Sequence, residues 1–95
     1  MEKSGPRLRA NRKKQQILLA LLREIRQERG LRQEDVAAAL GVPQSVVSKY
    51  ESGERRLDLL ELDDVCRAIG IRLVEFVKRY ERASRELGDD SSVPR

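Results

Sequence analysis

The side chains best suited to chemistry in this 95-residue chain are amides, hydroxyls and cations, and they gather between Gln33 and Ser52, in the run QEDVAAALGVPQSVVSKYES. Gln44, Ser45, Ser48 and Lys49 fall within six residues, so on a helix they share one side over little more than a turn. A glutamine amide pairs a donor with an acceptor and matches adenine N6 and N7. A serine hydroxyl serves either kind of partner, and a lysine reaches guanine O6 or a phosphate. Composition closes off most other chemistry. There is no histidine and one cysteine, Cys66, which removes the usual zinc sites, any histidine-based catalytic pair and an internal disulfide. No cluster of nucleophile, base and metal ligand is present, so we expect a binding module, not an enzyme, with no cofactor and no metal.

These side chains need a scaffold, and the composition points to packed helices. The chain is 39% hydrophobic and 38% charged but only 3% aromatic, so its core must be built from Leu, Ile, Val and Ala. A first helix is expected from Asn11 to Arg29, with Asn11 as N-cap, Leu18, Leu22 and Ile25 on one face, and Gly30 as its left-handed end. A second follows over Gln33 to Leu40, with Glu34 and Asp35 in its first turn and Val36, Ala37 and Leu40 inward. Gly41 and Pro43 frame the turn into a third helix, Gln44 to Glu51, inward at Val47 and Tyr50. A fourth is opened by Asp58 and Glu61 as a capping box, turns Leu59, Leu62, Val65, Cys66 and Ile69 inward, and ends at Gly70. A fifth runs from near Arg72 to Leu87 on the stripe Leu73, Val77, Tyr80, Ser84, Leu87, with Phe76 and Val77 read as core. The expectation is an all-α, compact bundle of about five helices. The longest apolar stretch, Ile17 to Leu22, has six residues, far below the roughly 20 that span a bilayer.

Charge is distributed unevenly. Residues 1–14 carry six basic side chains, Lys3, Arg7, Arg9, Arg12, Lys13 and Lys14, against Glu2 alone, whereas the whole chain has a net charge of +4. We therefore divide it into a flexible basic arm over 1–14, a domain over 15–88 and a disordered tail over 89–95. Such an arm suits nucleic acid, and equally a solubilising terminus.

Two short helices joined through a glycine must cross closely and steeply. That requires a small residue at the approach, Ala37, a bend tolerant of positive φ, Gly41, and apolar anchors at Val36, Leu40, Val42, Val47 and Tyr50. This is the helix-turn-helix pattern, whose second helix offers its N-terminal side chains to the major groove. Between Leu22 and Val77 the chain further resembles the lambda-repressor-like, Cro/CI-type or XRE family. The resemblance rests on RxxRGL before the second helix, the QSxxSxxE run and the Ser52-Gly53 that follows. Three positions depart from that pattern. Arg32 and Pro43 stand where a capping Ser or Thr is common, and Glu54 replaces a frequent Lys.

The resemblance implies roles. Gln44, Ser45, Ser48 and Lys49 are expected to meet bases, with Gln33 on a phosphate and holding the Gln44 amide. Arg32, Ser52, Arg55 and Arg56 are expected at the DNA backbone, joined by Arg7, Arg9, Arg12, Lys13 and Lys14 of the arm. Arg26 and Glu51 match a structural ion pair. Tyr80, Ala83 and Leu87 either cover Leu19 and Leu21 within one chain or pair with a second copy, and we take the second reading. Cys66 is expected as a buried small hydrophobe. The function expected is a cytoplasmic, bacterial or phage-encoded transcriptional regulator, a repressor binding double-stranded DNA as a homodimer on a pseudo-palindromic operator. The rivals are an antitoxin-type module that neutralises a small protein partner and a restriction-modification controller.

Overall fold

The computed structural model describes the backbone of residues 6–86 and the side chains of residues 11–86. Five helices follow one another: α1 (Pro6–Glu28), α2 (Gln33–Leu40), α3 (Gln44–Ser52), α4 (Leu59–Ala68) and α5 (Leu73–Glu86). α1 packs on α3 and α5, α2 on α3 and α4, and α4 on α5, so α2 and α3 are carried on a three-helix support. The shared core is centred on Leu22 and Ile25 of α1, Val36 of α2, Val47 and Tyr50 of α3, Cys66 of α4, Ile69 after it and Phe76 of α5. Among the described residues no helix is long and apolar enough to cross a membrane.

The α2–α3 turn is set by Gly41, whose φ of 72° lies in the left-handed region. With that bend the Val42 amide reaches back to the Ala37 carbonyl at 3.0 Å and Val42 packs against the core. Pro43 then enters α3 with extended geometry, φ −64° and ψ 152°. α4 opens with the expected box: the Asp58 carboxylate accepts from the Glu61 amide at 2.8 Å, and the Glu61 carboxylate accepts from the Asp58 amide at 3.0 Å.

Three expectations are corrected. α1 starts at Pro6, so Asn11 is no N-cap and residues 6–14 belong to the first turns of the helix. Proline suits a first helical position and Arg, Lys, Ala and Gln propagate a helix well. Leu59 is 64% exposed, because it sits one turn ahead of Leu62 at the uncovered start of α4. Val77 is 38% exposed, because it adjoins Phe76 around the helix and the larger ring takes the core position. Leu19 and Leu21 are buried within the single chain, and Tyr80 packs on the same core. Leu87 and the tail lie outside the described residues.

Cys66 is buried, and burial first, then the charge of Asp63, push its thiol up to about 11 from an ordinary 9.0. The folded state therefore keeps the proton that the unfolded chain gives up, and stability should fall as pH rises from about 9 toward 11. At pH 8 the native thiol should stay unreactive toward an aromatic disulfide reagent and titrate fully once urea unfolds the chain. Rapid reaction of the folded protein would show that the thiol is accessible.

Candidate nucleic-acid interface

α3 divides its side chains cleanly. Val47 and Tyr50 are buried against α1 and α2, while Gln44, Ser45, Ser48 and Lys49 are all exposed along the opposite side. Pro43, the N-cap of α3, offers no side-chain acceptor to the amides of its first turn. What faces outward is thus an amide, two hydroxyls and an ammonium, with backbone donors at one end.

A chain of hydrogen bonds behind this face fixes its leading residue. Arg26 of α1 donates through Nε to Glu51 Oε2 at 2.7 Å and through Nη2 to Glu51 Oε1 at 3.1 Å. Its Nη1 donates to the Leu31 carbonyl at 2.8 Å. The Glu51 carboxylate is only 2% exposed and the Arg26 side chain 10%. Gln33, opening α2, donates through Nε2 to Glu51 Oε1 at 3.0 Å and accepts at Oε1 from Gln44 Nε2, also at 3.0 Å. Arg23 approaches the same carboxylate at 3.9 Å from the surface. Three helices therefore meet at Glu51. Burial, and next the charge of Glu51, hold the Tyr50 hydroxyl protonated well above its usual range.

The residues proposed for phosphate divide into two sets. Arg56 is exposed in the α3–α4 connection, and Arg12 and Lys13 are exposed on α1; Lys14, half-buried there, already has an interaction within the chain. The side chains of Arg7 and Arg9 lie outside the described residues. Others are already engaged within the chain. Arg32 pairs with Asp35 at 3.3 Å, and the Asp35 carboxylate accepts from the Arg32 amide at 2.8 Å. The Arg32 amide, then its guanidinium, holds Asp35 below the usual carboxylate range. Arg55 pairs with Glu61 at 2.8 Å. The Ser52 hydroxyl donates its proton to the Lys49 carbonyl at 3.0 Å, so it has none left for a phosphate in this conformation. Tyr80 and Ala83 are half-buried on their own chain.

Two further contacts tie the helices together and were not foreseen from the sequence. Arg29 Nη1 donates to the carbonyls of Ile69 and Gly70, closing the end of α4 from α1. The Gln33–Glu51 bond was also missed, because the expectation tied Gln33 only to a phosphate and to Gln44.

Residues 22–76, more than half of the chain, match a family model described as Helix-turn-helix. An HTH-type transcriptional regulator of Sinorhizobium fredii (strain NBRC 101917 / NGR234), y4dJ, is 38% identical over 53 residues, covering 56% of this chain and 69% of the relative. An XRE-family like protein from Pseudomonas syringae pv. tomato str. DC3000 superposes with a TM-score of 0.73 at 44% identity, covering 76% of this chain and 88% of the other. A mutant of the restriction-modification controller protein C.Esp1396I gives 0.70 at 22% identity over 81% and 95% of the two chains, a likeness of fold.

Truncating Arg26 to Ala should cost about 3–5 kcal/mol, because it strands a buried carboxylate. Arg26→Lys should recover only part of this, since a lysine cannot reproduce the three-point grip. Thermal or urea unfolding checks both, and an Arg26→Ala protein as stable as the parent would contradict the role assigned to the pair.

Proposed function

The chain belongs to the helix-turn-helix family, of the XRE kind, and on that premise we propose that it is a sequence-specific regulator of transcription that binds double-stranded DNA through α3. The observation that carries this is the exposed row Gln44, Ser45, Ser48 and Lys49, with Gln44 held from behind by Gln33. An unheld glutamine would lose rotamer freedom on binding; a held one arrives oriented. In this reading α3 lies in the major groove, Gln44 meets adenine, and Ser45, Ser48 and Lys49 read neighbouring positions. Gln33 also touches a phosphate.

Backbone contacts come from Arg56 and from the cationic first turns of α1, Arg7, Arg9, Arg12, Lys13 and Lys14. Arg32 and Arg55 join them by exchanging Asp35 and Glu61 for phosphate, and Ser52 by turning its hydroxyl. Both ion pairs are exposed, and such pairs are weak enough to exchange. We further propose that two copies act together on a pseudo-palindrome with half-sites about 34 Å apart. The pair would repress by occupying its site, in the cytoplasm of a bacterium or from a phage genome.

Selection of binding sites from random duplex DNA tests the reading and should enrich a two-fold symmetric sequence. Titrations at several salt concentrations then separate the two kinds of contact. Replacing Arg12, Lys13 and Lys14 by Ala should weaken all duplexes and flatten the log–log salt slope by about 0.9 for each phosphate left without its cation. Gln44→Ala should leave the slope unchanged and abolish preference at one position of each half-site, worth about 1–3 kcal/mol. Equal weakening on operator and random DNA would show that α3 is not the reading helix.

A further inference from the structure

We infer that Glu51, which is buried and faces away from the reading row, determines which base Gln44 selects. It would do so by fixing the direction of every hydrogen bond in the relay between them. The inference rests on the reading of α3 as the recognition helix and adds a positioning residue to it.

The argument is one of donors and acceptors. An ionised carboxylate accepts and cannot donate. Glu51 is gripped at both oxygens by Arg26, and Gln33 must therefore turn its amide nitrogen toward Oε1, as the 3.0 Å contact records. That choice leaves the Gln33 carbonyl oxygen for its other neighbour. Gln44 in turn must point its nitrogen at that oxygen, again at 3.0 Å. One hydrogen of the Gln44 amide is thereby spent. Its second hydrogen and its carbonyl oxygen remain, a donor beside an acceptor. That pair complements adenine, whose N7 accepts and whose N6 donates.

Reversal of the relay inverts the outcome. If the Gln33 amide turned over, its nitrogen would face Gln44, and Gln44 would answer with its oxygen. Both hydrogens of Gln44 would then be free, which complements the two acceptors of guanine, N7 and O6. An amide in water turns over readily between two such states. Here the side chain that prevents it has only 2% of its surface exposed and belongs to the far end of α3.

The test uses the full chain and operator duplexes that differ only at the base pair whose preference Gln44→Ala abolishes. The wild-type protein should favour adenine over guanine there by a factor on the order of ten. Glu51→Gln replaces one oxygen by an amide nitrogen, which can face Gln33 as a donor and turn the relay over. That variant should bring the ratio to parity or invert it toward guanine, with preferences at the positions met by Ser48 and Lys49 unchanged. Since Glu51→Gln also leaves Arg26 poorly paired, a second variant, Arg26→Met with Glu51→Leu, removes the buried pair together. Apolar replacement of such a pair is commonly tolerated. It should fold and show the same loss of discrimination without inversion. Loss of affinity for all duplexes with the adenine ratio intact in either folded variant would overturn the inference while leaving α3 as the reading helix. If Gln44→Ala changes no base preference, the reading of α3 fails and the inference fails with it.

Discussion

A buried carboxylate is tolerated only where donors surround it, and Glu51 collects them from two other helices. Arg26 of α1 binds both of its oxygens and Gln33 of α2 binds one. The α2–α3 unit has little core of its own: α2 spans 8 residues and α3 spans 9, too short to persist alone in water. Packing of Val36, Val47 and Tyr50 holds the two against α1 and α4, but apolar contact has no direction. The geometry at Glu51 supplies one. It sets how α3 sits on α1, and Leu31 joins the arrangement through its carbonyl on Arg26. The exposed row on α3 is therefore referenced to the rigid part of the molecule.

Much of this was legible in the sequence, because local rules and tertiary packing agree over the central segment. Gly41, the Asp58–Glu61 box and the periodic Val36, Val47, Tyr50, Leu62, Val65 and Ile69 specify α2, α3 and α4 at positions the structure repeats closely. Arg26 and Glu51, 25 residues apart, were paired through family resemblance, since no local spacing relates them. Periodicity alone misplaced Leu59 and Val77. A stripe records which residues share a side, and it does not record where the neighbouring helix ends or which of two adjacent side chains centres the contact. The start of α1 was missed for another reason. Strong helix formers continue back to Pro6, and a plausible capping asparagine at position 11 interrupts nothing. Arg29 carried no sequence signal, because its partners are carbonyls of Ile69 and Gly70, and a carbonyl is common to every residue.

The contrast between expected and observed partners also bears on how cations are used. Arg32 and Arg55, both proposed for phosphate, carry charge already matched by Asp35 and Glu61. A phosphate must compete for them, which tempers the gain from any one contact. Arg56, exposed beside Arg55, is more directly available.

The starts of α2, α3 and α4 differ in a way that reaches beyond stability. α4 is closed by a complete capping box, whereas Arg32 and Pro43 bring no side-chain acceptor to α2 and α3. A missing cap typically forgoes about 1 kcal/mol. At α2 the Asp35 carboxylate meets the Arg32 amide instead, so of the three starts α3 is the one with no side-chain acceptor. The first turn of α3 therefore leans on the packing of Val47 and Tyr50 behind it more than the start of α4 leans on its own core residues.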